Sequence, residues 1–355
     1  MAKQVKIKDI AKMANVSAGT VDRILHNRGN VSEASRKAVE QALEITGYKY
    51  NIHTSAVSVT KTFKLAIAVP TAVSGEYWGS IIEGINHALE EYSDIKIDCD
   101  FAYYNQFDIY SCRTSFDSVV ESKPDAVIIG GTFISETVKL CRSLDRLCIP
   151  YISVDALIDD THPVASFSTD QNACGRLLAR LLTNMTPANS EYAVFGLERI
   201  GNEKSFNSIL RKQGLMGYFA EMGLEDKVKE HSLSILNPEE CEAQVIDFIK
   251  KNRKVKGIAI MNSRGYIIAD ILEKYRIKGI SLLSFDLTTN NSRCLEKGTI
   301  AAVICQRPEL QGFQAVKTIL SHLLYNNCRK GLRQQMPIDI VMKENLPYYK
   351  AFFSM

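Results

Sequence analysis

Residues 6–32 read K-I-K-D-I-A-K-M-A-N-V-S-A-G-T-V-D-R-I-L-H-N-R-G-N-V-S. Ile7, Ile10, Ala11 and Ala14 recur at helical spacing until Asn15-Val16 breaks the pattern. Ser17 is then a good N-cap for a second short helix running to about His26. Val21, Ile24 and Leu25 form the apolar face of that helix and turn Ala18, Gly19, Asp22 and Arg23 outward. After the turn-prone Asn27-Arg28-Gly29-Asn30, Ser32 caps a third helix whose stripe of Ala34, Ala38, Val39, Ala42, Leu43 and Ile45 ends at Gly47. Three short helices, the first two joined by a tight turn, predict a helix-turn-helix module that docks in a DNA groove, with a three-helix protein-binding module as the alternative.

Charge favours DNA. Residues 1–62 hold ten basic side chains (Lys3, Lys6, Lys8, Lys12, Arg23, Arg28, Arg36, Lys37, Lys49, Lys61) against five acidic ones (Asp9, Asp22, Glu33, Glu40, Glu44), whereas the whole 355-residue chain carries only +3. A small basic module on a nearly neutral body is the reading. The stretch Lys49 to Thr60 is polar and β-branched and reads as a linker. The divisions are therefore 1–49 for the module, 50–62 for the hinge and 63–355 for the body.

From Phe63 onward short β-branched runs alternate with amphipathic helices, the rhythm of βαβ units and parallel sheets. The runs include Leu65–Val69, Ile95–Ala102, Ala126–Ile129, Tyr151–Val154, Ala193–Gly196, Gly257–Met261, Ser281–Phe285 and Ala301–Cys305. Helices are expected at Trp78–Glu91, Ile109–Glu121, Gln171–Leu182, Leu210–Met222, Glu239–Lys251, Tyr266–Lys274 and Glu309–Leu324. That is too many strands for one mononucleotide fold, so the body is α/β in two lobes with a ligand between them.

The turn after the first strand, Pro70-Thr71-Ala72-Val73-Ser74-Gly75, has no G-x-G-x-x-G, and neither a P-loop nor a G-x-S-x-G elbow occurs. No enzyme and no nucleotide cofactor are expected. Nine scattered cysteines without a C-x-x-C pair read as reduced thiols, and six scattered histidines give no metal site. Lysines interrupt the first twelve residues and no run reaches membrane-span length, which predicts a cytoplasmic protein with no membrane partner.

The pattern D-I-A-x-x-A-x-V-S-x-x-T-V-x-R-x-L-x-N from Asp9 to Asn27, followed by V-S and a helix ending in G-Y, closely resembles the DNA-binding headpiece of the LacI/GalR family of bacterial transcription regulators. The resemblance implies base-reading positions at Ala18, Gly19 and Arg23, with Ser17, Thr20, His26 and Ser32 at or beside phosphate contacts. It also implies a minor-groove hinge whose wedge falls at Val57, although Tyr50 and Val57 replace the usual Pro and Leu and leave the DNA kink open. Asp22 departs from the small polar residue common there.

The body resembles the same family's type I periplasmic-binding-protein module. The anchors are residues 67–85 (I-A-V-P-T-A-V-S-G-E-Y-W-G-S-I-I-E-G-I), I-P-Y-I-S-V-D (149–155), R-K-Q-G (211–214), A-I-M-N-S (259–263), L-L-S-F-D (282–286) and I-C-Q (304–306). Implied effector contacts are Tyr77 and Trp78 for stacking, Asp155, Asn262 and Asp286 for hydroxyls, Arg211 as a clamp and Gln306 as hinge or contact. The implied partners are a pseudo-palindromic double-stranded DNA operator, a second copy of the chain and a small effector, a sugar or sugar derivative. Ala156 and Ser263, where the family often has Arg and Asp, point away from a simple hexose. A solute-binding protein without DNA function is the alternative, since its body would read the same.

Overall fold

The computed structural model describes residues 7–25, 31–46, 61–201, 203–325 and 331–353. In the N-terminal module α1 (Ile7–Met13), α2 (Ala18–Leu25) and α3 (Glu33–Thr46) pack around buried Ile10, Ala11, Ala14, Val21, Ile24, Val39 and Ala42. The turn between α1 and α2 places Asn15 at φ 52°, a left-handed conformation that Asn tolerates better than most residues. Ser17 Oγ accepts the Thr20 N–H at 3.0 Å and Ser32 Oγ the Ser35 N–H at 3.3 Å, so both predicted caps are formed. The stripe on α3 is narrower than its sequence implies. Ala34 and Ile45 are exposed because, at 3.6 residues per turn, they lie roughly 100° from the line through Val39 and Ala42. His26, Val57 and hinge residues 50–60 lie outside the described residues.

The body is two six-stranded sheets. The first lobe has the order β11-β5-β4-β3-β1-β2, from β1 (Phe63–Pro70), β2 (Ile97–Tyr104), β3 (Ala126–Ile129), β4 (Tyr151–Asp155), β5 (Ala165–Ser168) and β11 (Leu332–Gln335), all parallel. The second has β12-β10-β9-β8-β6-β7, from β6 (Glu191–Leu197), β7 (Val228–Leu233), β8 (Val255–Ile260), β9 (Ser281–Phe285), β10 (Ala302–Cys305) and β12 (Asp339–Val341), with β12 antiparallel. Between strands run α4 (Tyr77–Glu91), α5 (Ile109–Ser122), α6 (Ile134–Arg146), α7 (Gln171–Met185), α8 (Phe206–Glu221), α9 (Pro238–Lys251), α10 (Gly265–Lys274), α11 (Thr289–Lys297), α12 (Pro308–Tyr325) and α13 (Leu346–Phe353).

Strand β1 shows why the sequence folds this way. Helices cover both faces, so its side chains form one apolar run that pleating splits by size. Leu65, Ile67 and Val69 enter the core against α4 and α12, and Ala66 and Ala68 face the core beneath α5 and α6.

Three segments cross between the lobes: β5 to α7, β10 to α12, and β11 to β12. The first two deliver a helix to the opposite lobe, and glycines let each pack closely. A Cβ on Gly84 of α4 would stand 1.9 Å from Glu309 O, and one on Gly312 of α12 would stand 2.1 Å from Ile81 O. The same reciprocity joins α7 to α8, where Gly175 faces Arg211 O at 1.8 Å and Gly214 faces Asn172 O at 2.0 Å.

Two glycines on α8 therefore differ in sign. Gly214→Ala should destabilise by about 1–3 kcal/mol through overpacking, whereas Gly217→Ala, whose Cβ would meet only Arg176 NH1 at 3.6 Å, should stabilise by roughly 0.5–1 kcal/mol. Thermal denaturation of the two single variants measures both.

Candidate functional site

Both strand orders place a topological switch beside the first strand of each lobe, where open α/β sheets bind ligands beyond their carboxyl ends. The two crevices meet in one cavity of about 940 Å³. Thr71–Val73, Phe107, Thr132 and Asp155 follow or end β1 to β4, and Met261–Arg264, Asp286 and Gln306 follow β8, β9 and β10. All seven effector candidates, Tyr77, Trp78, Asp155, Arg211, Asn262, Asp286 and Gln306, line this cavity.

The two aspartates occupy matching places. Ser153-Val154-Asp155 closes β4 and Ser284-Phe285-Asp286 closes β9, and both aspartates are buried and left-handed, at φ 69° and 64°. Tyr77 Oη donates to Asp155 Oδ1 at 2.6 Å, and Gln306 Nε2 donates to Asp286 Oδ1 at 2.9 Å. Burial pushes the Asp286 carboxyl up to about 7, against the pull of Arg211 and the Gln306 hydrogen bond. Burial raises Asp155 as well, against its Tyr77 hydrogen bond and Arg211. Tyr77 and Trp78 meet edge to face, with centroids 5.5 Å apart. The indole lies so close to Gly130 that a Cβ there would come within 2.5 Å of it.

Arg211, on α8, is only 4% exposed and holds the cavity floor. Its Nε donates to Gln171 Oε1 at 2.7 Å, NH1 to Met261 O at 2.7 Å and NH2 to Gln306 Oε1 at 2.9 Å, and its guanidinium lies 3.8 Å from the Phe285 ring centroid. Three of its five N–H groups are thus spent within the protein, leaving two for a ligand oxygen. Gln306 is committed more fully, since its amide is shared among Gln171, Arg211 and Asp286. Asn262 Oδ1 accepts the Arg264 N–H at 2.8 Å, which shapes the turn into α10.

Residues absent from the sequence reading complete the wall. Arg199, just past β6, reaches across to the first lobe. It donates from NH2 to Gln106 O at 2.5 Å and from NH1 to Thr132 O at 3.0 Å, over the Phe133 ring at 3.6 Å. Burial lowers its guanidinium to about 10, still protonated at neutral pH. The Ile200 N–H donates to Phe107 O at 2.8 Å, so one backbone rung ties the lobes beside it. Asn207 lines the cavity and sends Nδ2 to Asp155 O at 3.3 Å. No periodicity or motif marks Arg199 or Asn207.

In the N-terminal module Ser17, Ala18, Gly19, Arg23 and Ser32 are exposed and Thr20 is half-buried. The four residues of α2 among them sit on the helix that follows the tight turn. Ser17 and Ser32 are also the caps of α2 and α3.

A carboxyl held higher in the fold than in the unfolded chain binds its proton more tightly when folded, so its ionisation removes stability as pH rises from the ordinary carboxylate range through about 7. The ligand-free protein should lose melting temperature across that window. Asp286→Asn keeps an acceptor for Gln306 and removes the charge, and it should flatten the loss by roughly 2–4 °C for each kcal/mol involved, read from melting curves at stepped pH.

Comparison with known proteins agrees with this architecture. The profile described as periplasmic binding protein domain matches residues 65–326, and that described as bacterial regulatory proteins, lacI family, matches residues 6–51. A solved structure from Bacteroides fragilis, assigned to the LacI transcriptional regulators, superposes with TM-score 0.77 and 31% identity, covering 81% of this chain and 100% of that one. The transcriptional regulator GalS of Salmonella typhimurium is 20% identical over 78% of this chain and 77% of its own. DegA of Bacillus subtilis is 24% identical over 46% and 44%, so the match spans about half the length of that regulator. Among the described residues no helix is long and apolar enough to cross a membrane. With a headpiece profile at one end, a binding-protein profile over most of the remainder and a structural relative above 30% identity, the chain belongs to the lacI family of bacterial regulatory proteins.

Proposed function

We propose that this protein is a cytoplasmic transcription regulator whose grip on DNA is set by a small polyhydroxylated effector, a sugar or sugar derivative, held between its lobes. The observation that carries the proposal is the cavity where the carboxyl ends of both sheets meet, lined by the buried carboxyls of Asp155 and Asp286 and the rings of Tyr77, Trp78 and Phe107, in a chain that also presents the exposed face of α2. Asp155, Asp286 and Asn262 take the effector's hydroxyls, Tyr77 and Trp78 its apolar ring face, and Arg211 one oxygen through its remaining donors. Arg23 reads a guanine edge, Ala18 and Gly19 allow close approach, and Ser17, Thr20, His26 and Ser32 set register on phosphates. Val57 takes the hinge position in the minor groove.

The chain acts as a homodimer on a pseudo-palindromic operator, two headpieces matching two half-sites. The effector stabilises one closure angle of the lobes, and that angle decides whether both headpieces dock. A coupling of about 1–3 kcal/mol changes operator affinity by roughly 5- to 150-fold, and operator changes effector affinity by the same factor.

Selection from random duplexes followed by band-shift titration tests the DNA role. Arg23→Ala should lose about 1–3 kcal/mol of discrimination at one base position while the fold melts unchanged. Material that stays monomeric and retains no duplex in dilute salt would refute the proposal. A thermal-shift screen of sugars and their derivatives tests the effector role. A ligand at a hundred times its Kd should stabilise by about 2.7 kcal/mol, and Trp78 emission should change with it.

A further inference from the structure

We propose that the effector is an acid, a polyhydroxylated carboxylate or phosphate ester whose anionic end rests on the N-terminus of α8 beside Lys204. This rests on the reading of the body as an effector clamshell and names the chemical class it takes.

Helix α8 opens into the cavity, with Lys204, Ser205, Asn207 and Ser208 in its wall. Ser205 is the N-cap yet makes no capping hydrogen bond, and the first bond of the helix is Ile209 N–H to Ser205 O at 3.1 Å. The N–H groups of Phe206, Asn207 and Ser208 therefore have no acceptor among the described residues. Aligned peptides put about half a positive charge at such an end, which suits an anion.

A second observation points to a ligand at the same place. Asn207 is only 5% exposed and its Oδ1 has no hydrogen-bond donor. The amide cannot simply be turned over, because its Nδ2 already faces the Asp155 carbonyl at 3.3 Å, and two oxygens would then oppose each other. A buried acceptor of this kind calls for a donor, which a ligand hydroxyl supplies. The ligand thus carries a hydroxyl next to its charged group.

Charge matching agrees. Lys212 pairs with Glu230 at 2.5 Å and Arg264 with Glu76 at 3.7 Å, while Arg199 and Arg211 are held by carbonyls and glutamines. Among the described residues Lys204 is the cavity lysine or arginine with neither an ion pair nor a hydrogen bond. Lys204 precedes the N-cap at the mouth of α8, while Asn207 and Arg211, four residues apart, share the flank beside Asp155. An anion at the helix mouth and hydroxyls along that flank keep the ligand's charge away from Asp155 and Asp286. Burial holds both carboxyls above the ordinary range, which further weakens repulsion.

Isothermal titration of the full-length protein with matched compounds tests this: glucose and galactose, glucuronate and galacturonate, gluconate, and glucose 6-phosphate. At least one acid should bind about tenfold or more tightly than its neutral parent, and its affinity should fall as KCl is raised. Carboxylate and phosphate arms separate the two sources of anion. Lys204→Gln, an exposed substitution, should weaken the acid by about five- to twentyfold and leave a neutral sugar unchanged. Neutral sugars binding as well as acids, or an acid indifferent to Lys204→Gln, would overturn the proposal and leave the clamshell standing. Silence towards every compound would overturn the clamshell reading and this proposal together.

Discussion

A single buried guanidinium organises the centre of the body. Removing such an ion from water costs several kcal/mol, and a fold tolerates it only where hydrogen bonds replace its hydration. Arg211 finds them in Gln171, at the start of the first crossing helix, in Gln306, at the second crossing, and in the carbonyl that follows β8. Because the two glutamines belong to segments that cross between the lobes, one cation fixes the floor of the cavity and the hinge together. Its charge also acts on two carboxyls that burial alone would push further towards the neutral form.

The lobes are joined a second time at the opposite lip. There Arg199 holds carbonyl oxygens that belong to loops of the first lobe, and Ile200 adds a backbone rung. Hinge and clasp together mean that closure is a balance between protein–protein and protein–ligand contacts. A ligand moves that balance only through the difference in its contacts with the open and closed states.

Much of this was legible in the sequence because burial was legible. Strands with both faces covered, such as Ala126–Ile129 and Ser281–Phe285, read as apolar runs, and their bounds agree with the structure. Of the edge strands only β2 announces itself, as the run Ile95–Ala102. β7, V-K-E-H-S-L, is fully buried only at Leu233, and all four residues of β11 are exposed, so neither carries an apolar signature. The apolar pattern predicts the start of α8 at Leu210, four residues late, because Ser205 caps without a side-chain bond and Phe206-Asn207-Ser208 follows no helical stripe. That missed turn carries the cavity's Asn207. Arg199 escaped for a related reason, since what defines it is the carbonyl oxygens of Gln106 and Thr132, 93 and 67 residues away in the chain. The seven effector candidates were reachable through the family resemblance, which points to strand-end positions such as Asp155 and Asp286 and to Arg211 within α8.

The exchanged helices set an order of assembly. When residues 63–168 have left the ribosome, every parallel strand of the first lobe except β11 exists, but α12, which packs on α4 in the core of that lobe, is still about 140 residues from being made. Until then the apolar side of this sheet has α4 but lacks the part of its cover that α12 supplies, so this half of the molecule emerges partly exposed and waits for its sibling. The same threading that couples the two halves in operation obliges them to mature as one cooperative unit, with sequence separations that slow the search and lengthen the interval in which a chaperone is useful.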